Sequence, residues 1–142
     1  MSDYSRIIGI DYGTVRIGLA LSDPLKIIAS GLETINNDEL AINKIIKIIS
    51  DSNVERIIIG FPLTLKGEVG SKAEEVERFI EVLKSRTELP IIKLDERFTS
   101  VLAQQTIRQL GTTKKKKHAN KGKVDELAAT ILLQNYLDSA IK

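Results

Sequence analysis

The 142-residue sequence predicts one α/β domain: a mixed five-stranded sheet, its first three strands antiparallel, with helices on both faces. Three short β-branched runs joined by turns fill the first 35 residues, and from residue 38 helical and strand periodicities alternate. A chain of this length buries roughly two-thirds of its unfolded surface, enough for a self-sufficient core spanning residues 1–142. With 42% apolar and 28% charged residues, wholesale disorder is excluded.

Residues 6–11 (RIIGID) form the first expected strand and residues 15–22 (VRIGLALS) the second, so Tyr12-Gly13-Thr14 reads as a tight hairpin connection. A third strand, weakened by Gly31, is expected over 26–35. The period then changes: Leu40, Ile42, Ile45, Ile46, Ile48 and Ile49 make an apolar stripe, predicting a helix over 38–50 capped by Asn37 or Asp38. Residues 54–60 (VERIIIG) fit a central strand buried on both faces. A helix over 71–84 follows, with Ala73, Val76, Phe79, Ile80 and Leu83 on one side and charges on the other. Residues 90–94 give a short strand, 99–110 a helix stopped by Gly111, and 123–138 a last helix packed through Val124, Leu127, Ala128, Ile131 and Leu132. Pro24, Pro62 and Pro90 each flank an apolar run, where proline marks a strand edge or turn.

The composition removes whole classes of chemistry. There is no Cys, so no thiolate nucleophile, disulfide or Cys/His zinc site. The single imidazole, His118, sits in KKKKHANK, a poor place for a base oriented by a buried carboxylate. No apolar run approaches the ~20 residues that span a bilayer, and the N-terminal segment lacks a signal-peptide core, so a cytoplasmic protein with no membrane partner is expected. Neither GxxxxGK[ST] nor GxGxxG occurs, so P-loop and dinucleotide readings lack their defining element. Carboxylates, hydroxyls and basic groups remain.

The net charge of +2 conceals an asymmetry. Residues 111–142 hold seven lysines against three acids, net +4, while the first 110 residues hold 14 basic against 16 acidic groups, net −2. Lys114, Lys115, Lys116, Lys117 and Lys121 belong to a run with no acid between Thr112 and Lys123. Such a run can grip polyanionic phosphate or can be a solvated loop.

Acids stand at three element ends. Asp11 closes the first strand, in phase with Gly9, which leaves room at its carboxylate for a ligand; the competing role is an Asx turn onto the amides of Gly13 and Thr14. Asp95-Glu96-Arg97 follows the last strand, where functional groups of open α/β sheets gather, or where acids simply start a helix. Asp125-Glu126 opens the final helix, whose Ala128 and Ala129 would allow close approach to the sheet; acids are also favoured there by the helix dipole. Singly each is ambiguous. Together, without imidazole or thiolate, they suggest hard oxygen ligands for Mg²⁺ or Mn²⁺, two ions ~4 Å apart acting on a phosphodiester. Lys66, in the KGEVG stretch after Phe61-Pro62, could meet a phosphate or lie in an ordinary β-to-α connection.

IGIDYGTVRIGLALSD, IIIGFPLTLKGEVG, LDERFTS and KVDELAATILLQNYL, in this order and spacing, resemble the YqgF (RuvX) family over nearly the whole chain. The resemblance implies the RNase H-like fold of the RuvC Holliday junction resolvase. It implies that Asp11, Glu96 and Asp125 form a metal-binding acidic triad, with Asp95 the alternative to Glu96, and that the segment before the last helix is basic. It also implies maturation of the five-prime end of small-subunit ribosomal RNA, with junction resolution as the other activity. Arg97 would orient Glu96 or touch a phosphate.

The leading expectation is therefore a metal-dependent nuclease acting on an rRNA precursor or branched DNA, as monomer or homodimer. A kinase reading rests on Asp11-Tyr12-Gly13-Thr14, similar to a first phosphate motif, but such enzymes enclose nucleotide between two domains. A non-catalytic nucleic-acid or transcription-complex binder would use the same basic run. With only 4% aromatic residues it would contact backbone rather than stack on bases.

Overall fold

The computed structural model describes residues 4–62, 69–95 and 121–140, with side chains of the last helix described from Leu127 to Ser139. Five strands form one sheet in the order β3-β2-β1-β4-β5. They are β1 (Arg6–Tyr12), β2 (Arg16–Ser22), β3 (Ala29–Asn36), β4 (Val54–Phe61) and β5 (Ile91–Asp95). The first three are antiparallel neighbours, whereas β4 runs parallel to both β1 and β5. Three helices are described: α1 (Ala41–Asp51), α2 (Ser71–Lys84) and α3 (Lys121–Ala140). The helix expected over 99–110 lies outside the described residues.

Strand alternation splits the core in two. Ile8 and Ile10 of β1, Ile17 and Leu19 of β2, and Ile57 and Ile59 of β4 face α1 and α2. Ile7, Ala20 and Ile58 turn the other way and pack with Ala129, Leu133 and Leu137 of α3. Burial of each such aliphatic side chain contributes on the order of 2 kcal/mol. On α2 the buried set is Ala73, Val76, Phe79, Ile80 and Leu83, as its periodicity predicts. On α3 the buried face centres on Ala128, Ala129, Leu132, Leu133 and Leu137, with Leu127 and Ile131 only half-buried, so it is rotated from the expected stripe.

Several boundaries shift for local reasons. The β1–β2 loop holds Gly13, Thr14 and Val15, so β2 starts one residue late. A Cβ at Gly13 would lie 2.3 Å from the Arg16 carbonyl oxygen, which admits glycine alone. Asn37 pins the loop, its side chain donating to the Gly13 carbonyl at 2.8 Å and its amide to the Val15 carbonyl at 2.9 Å. Neither Asn37 nor Asp38 caps α1 directly; the capping position is Leu40, while Asp38 accepts from the Leu40 amide one step earlier. Leu40 itself is exposed rather than part of the buried stripe. Residues 26–28 are not strand. Lys26 takes a left-handed φ of 60°, and the Asp23 carboxylate accepts from the amides of Ile27 and Ile28 at 2.7 and 2.9 Å.

Two irregularities of register matter later. Leu19 pairs with Glu33 and Ala20 with Gly31, so Leu32 is an extra residue bulging from edge strand β3. Arg6 pairs with Val54 and Ile7 with Arg56, so Glu55 is extra on β4. The Glu55 carboxylate is then met by the Ser5 hydroxyl at 2.6 Å, Lys26 at 2.9 Å and Arg56 at 3.2 Å. Arg56 in turn donates to the Tyr136 hydroxyl of α3 at 2.7 Å. Gln134 of α3 grips the start of β3, accepting from the Ala29 amide and donating to the Ile27 carbonyl, both at 2.8 Å.

Candidate active site at the carboxyl ends of β1, β4 and β5

Asp11 shares its sheet face with Ile7 and Gly9, hence with α3 rather than α1 and α2. Its neighbours at the same level have no side chains. Asp11 pairs with Gly18 on β2, and the β1–β4 register Ile10↔Ile59 carries on to bring Gly60 beside it. Gly60 pairs in turn with Leu94 of β5. The carboxylate is half-buried and stands on a floor of Gly9, Gly18 and Gly60.

The last helix is brought to this floor by contact with glycine. A Cβ at Gly9 would lie 2.9 Å from the Leu133 Cβ and 3.3 Å from the Ala129 carbonyl oxygen. The far half of α3 is tied down at the opposite end of the sheet, through Gln134 to β3 and Tyr136 to Arg56. From Ala129 toward its start, the helix therefore runs in the same direction as β1 from Gly9 to Asp11. Position 125 is one turn before Ala129, an advance of about 6 Å, and Asp11 is two strand residues past Gly9, about 6.6 Å. The backbone of position 125 thus leads toward the level of Asp11. Ala129, one of the two alanines expected to allow close approach, lines this contact together with Leu133.

On β5 alternation fixes the face on which Asp95 stands. Ile92 and Leu94 pack on the α3 side, whereas Lys93 turns to the other face. There it pairs with Glu77 of α2 and lies 4.8 Å from the Phe61 ring centroid. Asp95 pairs with Phe61 and has the parity of Lys93, so it stands on the face away from Asp11. The α2 face at this end is closed by Tyr12 against Phe79, ring centroids 4.8 Å apart, and by Thr14 donating to Glu75 at 3.3 Å.

Of the expected site residues, Asp11 is described fully, and Asp125 and Lys121 are described as backbone positions on α3. Lys66, Glu96, Arg97, Lys114, Lys115, Lys116 and Lys117 lie outside the described residues. Among the described residues no three His, Cys, Asp or Glu side chains gather into a metal-holding group, and no helix is long and apolar enough to cross a membrane. Sequence reasoning passed over Arg16, which has the parity of Gly18 and Ala20 and so lies on the Asp11 face. The signal was present in RIGLA, where position 16 alternates with the core residues Ile17 and Leu19.

Residues 5–139 match the RuvX family, described as Holliday junction resolvase. A relative from Bacteroides fragilis, named "Putative pre-16S rRNA nuclease", is 46% identical over 136 residues, covering 95% of this chain and 97% of its own. One of the same name from Sulfurihydrogenibium is 48% identical over 136 residues, covering 94% and 90%. Among solved structures, Thermus thermophilus RuvC in complex with Holliday junction substrate superposes with a TM-score of 0.58 at 15% identity, covering 96% of each chain. Fowlpox virus resolvase with junction DNA also gives 0.58, at 16% identity over 96% of this chain and 99% of that one. The sheet and its flanking helices are thus the RNase H-like fold of the RuvC-type resolvases. With a match across nearly its full length and relatives at almost half identity, this chain belongs to the RuvX family of nucleases.

Proposed function

We propose that the protein is a metal-dependent endonuclease of the cytoplasm that hydrolyses phosphodiester bonds in structured RNA, its physiological reaction being maturation of the 5′ end of pre-16S rRNA. The observation that carries this is Asp11 on a glycine floor, on the sheet face over which α3 brings position 125. The relatives' shared name supplies the substrate.

Asp11, Glu96 and Asp125 are the proposed ligands and catalytic carboxylates. Alternation supports Glu96 over its neighbour: it follows Leu94 by two positions, whereas Asp95 follows Lys93. An all-oxygen donor set suits Mg²⁺ or Mn²⁺, and the absence of side chains at Gly18 and Gly60 leaves space for hydrated ions beside Asp11. Bound there, such ions would supply a more acidic water and stabilisation of charge on the leaving oxygen of a phosphodiester. The chain's own residues hold the charge in place, with Asp11 fixed on a rigid central strand. Lys114 through Lys117, Lys121, Lys66 and Arg97 grip the backbone, so binding weakens steeply with salt.

The test is cleavage of a 5′-extended small-subunit RNA precursor and of a four-way DNA junction with Mg²⁺ or Mn²⁺, beside an Asp11→Asn control. Selective, Asp11-dependent cleavage of the RNA supports the proposal, and cleavage by Asp11→Asn at the parent rate overturns it. Junction resolution is the second reading, favoured by the family description. It calls for two sites related by two-fold symmetry, hence a homodimer in solution. End trimming works in a monomer, so solution mass separates the two.

A further inference from the structure

We propose that Arg16 binds a backbone phosphate of the substrate immediately beside Asp11, an inference that rests on the nuclease site described above. Asp11 is paired with Gly18, and Arg16 lies two positions from Gly18 on β2, on the same face. It is therefore the diagonal cross-strand neighbour of Asp11. Such pairs stand about 7–8 Å apart at Cα, within reach of a long side chain. The residue between them on that face is glycine, so no side chain of β2 separates the guanidinium from the carboxylate.

Beyond Arg16 the same face continues in polar residues. Thr34 pairs with Gly18, and Asn36 with Arg16, so Arg16, Thr34 and Asn36 form a hydrogen-bonding strip from Asp11 toward the β3 edge. Core residues of β2 at this end, Ile17 and Leu19, point to the opposite face. Arg16 is half-buried and held on a strand, so its side chain loses less freedom on binding than a lysine in a loop. A planar guanidinium matches two oxygens of one phosphate. A phosphodiester held at the Asp11 end of the sheet comes within reach of an arginine placed there. Arg16 would fix the strand's register, while the lysines of the basic run supply charge alone.

The experiment measures binding of a fluorescein-labelled RNA hairpin and a four-way DNA junction by anisotropy, in the Asp11→Asn background so that no cleavage intervenes. Salt is varied over about 50–200 mM. Arg16→Gln is expected to weaken binding about tenfold and to reduce the log–log salt slope by about 0.7–0.9, one phosphate contact. Arg16→Lys should restore the slope but only part of the affinity. With Asp11 intact, Mn²⁺ affinity read by electron paramagnetic resonance should be the same in Arg16→Gln and parent. An unchanged slope in both variants overturns the proposal, as does an altered Mn²⁺ affinity with unchanged nucleic-acid binding, which would make Arg16 a structural partner of the acidic site. If the parent binds neither probe, the nuclease reading falls as well; if it binds and Arg16→Gln matches it, only the Arg16 assignment falls.

Discussion

Gly9 and Leu133 are packed so closely that a Cβ on Gly9 would come within 2.9 Å of the Leu133 Cβ. Neither atom can swing aside by a rotamer change, and the Ala129 carbonyl oxygen, 3.3 Å away, closes the remaining gap. Gly9→Ala should therefore lift α3 from the sheet. We expect a loss of about 1–3 kcal/mol, seen as a lower urea midpoint at unchanged m-value. Cleavage should fall by more than the unfolded fraction, because the lifted helix carries position 125. An unaltered midpoint would contradict so close a contact.

Glu55 makes stability depend on acid. Burial alone would raise its carboxyl, but hydrogen bonds from Lys26 and Ser5 and the charges of Lys26 and Arg56 outweigh it and hold the group below its ordinary value. Asp23 is also held low, by the Ile28 amide first and the Ile27 amide after it. A carboxylate lowered in the folded state stabilises fully above its unfolded pKa and loses that contribution as pH falls through the folded one. Thermal melts should thus decline from about pH 4.5 downward. Glu55→Gln should flatten that decline and cost about 1.5–3 kcal/mol at neutral pH. Cleavage per folded molecule should not change, since Glu55 lies at the opposite end of the sheet.

Two adjacent acids should separate cleanly. Asp95→Asn is expected to leave Mn²⁺ affinity and cleavage within about twofold of the parent, the effect of an ordinary surface change. Glu96→Gln should abolish cleavage to the level of Asp11→Asn and weaken Mn²⁺ binding. Equal loss in both variants would contradict the alternation read from Leu94 and Lys93.

Replacing Lys114, Lys115, Lys116 and Lys117 by Ser should reduce the salt slope of nucleic-acid binding by up to about 3, leaving Mn²⁺ affinity intact. Urea stability should stay within about 0.5 kcal/mol. An unchanged slope would return the run to the role of a solvated loop.

How far the fold was legible depended on whether its determinants were local. The buried face of α2 was readable because its opposite face is charged, so the period of 3.6 stands out. On α3 the stripe was misplaced, because Ala128 and Ala129 carry little periodic contrast. The close seat of Ala129 and Leu133 is set by Gly9, more than a hundred residues away. The start of β3 was misread for a similar reason: Ile27 and Ile28 look like strand, yet the Asp23 side chain captures both amides and Lys26 turns left-handed. At the site, the phase of Asp11 followed from its own strand. The phase of Asp95 did not, since it depends on which side of β5 meets α2 through Lys93. The face of Arg16 relative to Asp11 was not legible, because it follows from the pairing of Asp11 with Gly18 across two strands.

The bulge at Leu32 reaches beyond this molecule. An outermost strand with an unbroken ladder is a template on which another copy can polymerise, strand upon strand. Here the spare residue throws the backbone out of step midway along β3, next to the charge of Glu33. A newly made chain at high concentration therefore meets a sheet margin it cannot zip onto. Pairing of two copies through the β3 margin is thereby disfavoured, which leaves the β5 margin and the helix and loop surfaces for any assembly on a branched substrate.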